Sequence, residues 1–128
     1  MENGSVSCNA MSFAPLTLNL VEGSVSFRIT PAGVRDLKAA LDSLMSTLKA
    51  GALQGTPPAG RPPAKPVMEF CYTGEVFLEV FCNPNIWPSP FAAKLLLTLR
   101  DERIRLTTEA ELTQVMEDVN QYLEQSIA

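Results

Sequence analysis

Residues 95–123 read LLLTLRDERIRLTTEAELTQVMEDVNQYL, and residues 16–44 read LTLNLVEGSVSFRITPAGVRDLKAALDSL. The letters differ, but the apolar positions share a rhythm. In the earlier block Leu16, Leu18 and Leu20 alternate with Thr17, Asn19 and Val21, the period of a half-buried strand. The turn VEGS follows, with Gly23 free to take a positive φ. Val25, Phe27 and Ile29 then form a second strand on the same face. The period next becomes helical. Thr30 can cap a helix and Pro31 suits its first position, where the missing N–H has no intrahelical partner. Val34, Leu37, Leu41, Leu44 and Leu48 make one stripe, and Gly51 is the expected end.

The later block repeats the plan. Leu95, Leu97 and Leu99 alternate, RDER turns the chain, and Ile104 and Leu106 resume. A helix is expected after Thr108, with Glu111 placed to complete a capping box. Its stripe is Leu112, Val115, Val119 and Tyr122. Moved 79 residues along, Leu16, Leu18, Leu20, Val25 and Phe27 land on Leu95, Leu97, Leu99, Ile104 and Leu106. Moved 78 residues, Val34, Leu37, Leu41 and Leu44 land on Leu112, Val115, Val119 and Tyr122. Between the blocks, residues 67–72 and 75–82 read as a hairpin turning at Thr73-Gly74. One strand–strand–helix unit cannot cover its own apolar face, whereas two units sharing a sheet can. The expected fold is α+β: one mostly antiparallel sheet of about six strands, two helices on one face, and two pseudosymmetric strand–strand–helix units around a central hairpin. Residues 1–13 have no period and read as a flexible N-terminus. Residues 14–128 read as a single domain, carrying a proline-rich loop over 51–66.

The chain has 128 residues, 46% of them apolar and 19% charged, an ordinary globular mixture. It contains no run of roughly eighteen apolar residues, as a membrane span would need. The first thirteen residues hold Glu2 and no basic residue, unlike a secretory leader, so a cytoplasmic protein is expected. The formal net charge of −4 offers no basic cluster for phosphates, which argues against nucleic acid and against an acidic membrane surface. Three cysteines, Cys8, Cys71 and Cys82, are an odd number without CxxC spacing, so no disulfide framework is expected.

The chain has no histidine. That removes the commonest acid–base side chain near neutral pH, and with it Cys–His and Ser–His nucleophile pairs. Zinc would have to rely on scattered cysteines and carboxylates. No glycine-rich phosphate loop appears. No catalytic residue, cofactor or metal ligand is therefore assigned, and the chain does not read as an enzyme. The central hairpin says more. Phe77 and Phe81 fall on the strand face opposite Val76, Leu78 and Val80, where a sheet covered on one side should be polar. Apolar patches of that kind mark contact sites. Ile86, Trp87 and Phe91 follow among Pro84, Pro88 and Pro90, and a stiff aromatic loop beside such a face could clamp a peptide. Glu109, Glu111, Glu117, Asp118 and Glu124 follow Arg105 with no further Lys or Arg.

The segment GEVFLEVFCNPNIWPSPFAAKLLLTLRDERIRLTTEAELTQVMEDVNQYLEQ resembles small soluble cyanobacterial proteins, and among them the carboxysome assembly chaperones. The resemblance spans roughly residues 67–128 and is one of general character, so no residue role carries over. It implies a non-enzymatic protein that grips the tail of a shell protein during carboxysome assembly. The residues themselves point to an interaction module for an extended peptide or partner tail, with Phe77, Phe81, Ile86, Trp87 and Phe91 as contacts. Two alternatives stay open: a structural homodimer pairing its Phe77/Phe81 faces, and a small enzyme using carboxylates alone.

Overall fold

A computed structural model of the chain describes residues 14–54 and 65–127. The expected flexible segment 1–13 and residues 55–64 of the proline-rich connection lie outside the described residues. In chain order the elements are β1 (Leu16–Leu20), β2 (Gly23–Phe27), α1 (Pro31–Gln54), β3 (Met68–Thr73), β4 (Phe77–Cys82), a single 3₁₀ turn (Pro84–Ile86), β5 (Lys94–Arg100), β6 (Arg105–Glu111) and α2 (Leu112–Ile127). The fold is α+β, and the order strand–strand–helix, hairpin, strand–strand–helix is the one the sequence rhythm implies.

The strands do not form the single six-stranded sheet expected. They form two antiparallel sheets, β1–β2 and a four-stranded β3–β4–β5–β6. A side chain of α2 supplies the physical reason. Leu20 pairs with Gly23 across a two-residue turn, so Asn19 turns its backbone away from β2. A strand added to β1 would use that N–H. Instead it donates to Asp118 Oδ2 at 2.8 Å, while Asn19 Nδ2 donates to Asp118 Oδ1 at 2.9 Å. Gln114 Nε2 also donates to Oδ1, at 3.0 Å. With three donors the carboxylate is satisfied although only 5% exposed.

Helix α1 starts as read: Thr30 Oγ1 accepts from Gly33 N at 3.1 Å and Thr30 C=O from Val34 N at 3.0 Å. It runs through Gly51 to Gln54. Ala50, Ala52 and Leu53 are strong helix formers and outweigh the ~1 kcal/mol cost of one glycine. The other end of the chain departs further. Strand β6 continues to Glu111, so Thr108 and Glu111 belong to a strand and form no capping box. Leu112 N instead donates to Ala93 C=O at 3.1 Å, and α2 begins there. Gly23 takes no positive φ either; it opens β2 as an extended residue.

Both helical stripes are buried, Val34, Leu37, Leu41, Leu44 and Leu48 from α1 and Leu112, Val115, Val119 and Tyr122 from α2. They meet Leu16, Leu18 and Phe27 from one sheet and Leu78, Val80, Leu95 and Leu97 from the other in a single core. Each such aliphatic side chain contributes about 1.5–3 kcal/mol on burial. The two units differ where β6 corresponds to β2. Ile104 and Leu106, expected in the core, are 65% and 37% exposed. Helix α2 leaves β6 at Leu112 and packs on β1 and α1, which strips the far end of β6 of cover.

Both tyrosines hold the joint between β2 and α1. Tyr122 OH donates to Ile29 C=O at 3.2 Å, and Thr30 N donates to Tyr72 OH at 3.2 Å. The Tyr72 ring lies so close to Gly33 that a Cβ there would sit 2.7 Å from it. Gly33→Ala is therefore expected to destabilise the fold by about 1–3 kcal/mol through overpacking, read as a lower urea midpoint at unchanged slope. Asp118→Ala strands the Asn19 N–H and should cost about 1–2 kcal/mol in the same assay, with faster hydrogen exchange at the Asn19 amide.

Candidate functional site

The helices cover one side of the four-stranded sheet, and the other side carries the candidate site. Strand register fixes its layout. Thr73 faces Phe77, Cys71 faces Glu79 and Glu69 faces Phe81 across β3–β4. Phe77 then faces Arg100, Glu79 faces Thr98 and Phe81 faces Leu96 across β4–β5. Cys71 therefore lies opposite Glu79, and the turn takes in Gly74, Glu75 and Val76 rather than Thr73-Gly74 alone.

Phe77 and Phe81 are half-buried on this outer face, as the alternation of β4 implies. Neither ring belongs to the helix-side core. The Arg100 guanidinium stacks over the Phe77 ring, 4.3 Å from its centroid. Such a contact is worth about 0.5–1 kcal/mol at an exposed site and fixes the ring's orientation. Leu96, beside Phe81, is 43% exposed. Thr98 lies at the middle of the face and is only 8% exposed, in keeping with long neighbouring side chains closing over it. At the turn end of β4, Phe77 and Arg100 border a groove of about 550 Å³ between the β3–β4 and β5–β6 turns.

The aromatic loop over residues 83–91 is placed differently. Asn83 caps the 3₁₀ turn, its Oδ1 accepting from Asn85 N at 3.0 Å, with Pro84 buried beneath. Trp87 is half-buried against the helix-side core. Its indole N–H donates to the thiol of Cys82, whose side chain points into that core. Trp87 thus sits behind β4, on the side opposite Phe77 and Phe81, and anchors the loop. Ile86 and Phe91 stay exposed at 64% and 86%. Phe77 and Phe81 share the outer face with Glu79 between them, while Trp87 lies on the inner side.

Leu96 escaped the sequence reading. It lies inside the run Leu95-Leu96-Leu97, where a continuous apolar stretch hides which residue faces out. The flanking alternation Lys94, Thr98 and Arg100 is the signal that places it. Among the described residues no group of three or more Cys, Asp or Glu side chains is arranged to hold a metal ion. No described helix is long and apolar enough to cross a membrane. No protein-family model, curated protein or solved structure matches the chain.

Burial pushes the Cys82 thiol above its ordinary value of 9.0, and the Trp87 hydrogen bond offsets part of that rise. Cys71, on the outer face, is exposed. In a Cys8→Ser background Cys71 is expected to react readily with an aromatic disulfide, and Cys82 only after unfolding. Because the unfolded chain ionises Cys82 first, this thiol's contribution to stability is full below pH 9.0 and is lost as pH rises through the higher folded value. Denaturant midpoints across that window, compared with Cys82→Ala, measure the loss.

Proposed function

We propose that this chain is a non-catalytic, cytoplasmic interaction module whose outer sheet face receives an extended segment of a partner protein. The observation that carries the reading is the face itself. Phe77 and Phe81 are half-buried, Leu96 lies exposed beside Phe81, and among the described residues no helix packs on that side. Aromatic rings bring large contact areas, and a ring already stacked under Arg100 loses little freedom on binding. Glu69, Glu79 and Arg100 around the rings supply a polar rim of the kind that surrounds an apolar contact. Strand β3 forms the edge of the sheet on this side, so a segment crossing the face can also hydrogen-bond to a strand edge. The absence of histidine from the sequence favours binding over acid–base chemistry. The resemblance over residues 67–128 makes the tail of a carboxysome shell protein the first partner to try.

Affinity capture from a native extract, comparing the wild type with a Phe77→Ser/Phe81→Ser variant, tests the reading. A partner retained by the wild type and lost by the variant is expected, with stability reduced by less than about 2 kcal/mol. Equal retention by both proteins, or a variant that no longer folds because its rings are core residues, would sink it.

A further inference from the structure

Strand β6 is an edge, and its chemistry is self-complementary. Asp101 N donates to Ile104 C=O at 3.0 Å and Leu112 N to Ala93 C=O at 3.1 Å, bracketing the β5–β6 ladder. Antiparallel alternation between those brackets makes Leu99–Leu106, Leu97–Thr108 and Leu95–Ala110 the bonded pairs. The N–H and C=O groups of Arg105, Thr107 and Glu109 consequently point to the free edge. Among the described residues no strand pairs with them.

We propose that this edge pairs with β6 of a second copy of the chain, antiparallel, about a twofold axis at Thr107. In that register Thr107 bonds Thr107 of the second copy, and Arg105 stands opposite Glu109. Symmetry makes the pair twice. Arg103, in the β5–β6 turn, comes opposite Glu111, again twice. The outward backbone groups at 105, 107 and 109 are the ones this register uses. A register moved by one residue pair either way forfeits the Arg105–Glu109 match. Edge strands of a single charge sign repel their copies, whereas this one carries both signs at the spacing a twofold requires.

The surroundings fit the same occupant. A groove of about 560 Å³ separates β6 from the β1–β2 turn, with Leu20, Val21, Glu22, Ala110 and Glu111 in its lining. The second copy would bring its β5–β6 turn there. Its Ile104, 65% exposed, comes opposite the small Ala110 and beside Val21, itself 72% exposed. Its Arg103 and Arg105 flank that Ile104 and face Glu109 and Glu111. The pairing continues the four-stranded sheet of each copy into one of eight strands, with the two outer faces side by side. It does not depend on the partner-binding role of Phe77 and Phe81.

Charge exchange tests it, by sedimentation equilibrium over a wide concentration range. The wild type is expected to dimerise. Arg105→Glu alone and Glu109→Arg alone should each weaken the dimer at least about tenfold, since each puts like charges opposite one another twice. Mixing the two single variants should restore a heterodimer, because every cross-strand pair then regains opposite signs. Thr107→Pro, which removes only an edge-facing N–H, should give a folded monomer. In the wild type, exchange at the Thr107 and Glu109 amides should slow as concentration rises, a readout that needs no variant. A wild type that stays monomeric throughout overturns the proposal. Single reversals that dimerise normally, a mixture that stays monomeric, a dimer that survives Thr107→Pro, or exchange at those amides independent of concentration would each do the same.

Discussion

The carboxylate of Asp118 takes the backbone donor of Asn19, and much of the architecture follows. A β-strand beside another exposed strand normally pairs with it, since backbone groups away from water must find partners. Here α2 supplies the acceptor before β6 can. The β1–β2 hairpin is held against the helix rather than joined to the sheet, and among the described residues the sheet ends at β6. A groove separates the β1–β2 turn from that edge.

Both helices then lie on one side, where their stripes meet the inner faces of both sheets in one core. The two tyrosine hydroxyls fix the joint between β2 and α1 to β3 and α2, parts of the chain distant in sequence. Among the described residues no helix packs on the outer face of the four-stranded sheet. Its Phe77 ring is oriented by Arg100, and the two phenylalanines are bordered by carboxylates. That face and the β6 edge are separate surfaces, one suited to apolar contact and the other to backbone pairing with matched charge.

Much of the fold was legible because it depends on local periodicity. The stripes Val34 to Leu48 and Leu112 to Tyr122 repeat at helical spacing, and every one of those residues is buried. The alternation of β4 placed Phe77 and Phe81 on the face away from the core, since a strand's side chains must point to opposite sides. The readings that failed concern boundaries and neighbours. Ile104 and Leu106 alternate as a core strand would, yet burial needs something on top, and α2 leaves β6 too early to cover them. Trp87 looked like a partner for the two phenylalanines, but its N–H found Cys82 on the inner side of β4. Thr108 and Glu111 have the spacing of a capping box, which a strand running on to Glu111 makes irrelevant.

The sequence by itself determined the kinds and order of the elements, the faces of the helices and the outward aromatic pair of β4. Each of these follows from residue spacing and the fixed geometry of a helix turn or a pleat. Tertiary structure alone decided which strands share hydrogen bonds, where Trp87 packs and which edge stays open. Those outcomes depend on competition between groups far apart in the chain, as when the carboxylate of residue 118 reaches the amide of residue 19 before a neighbouring strand does.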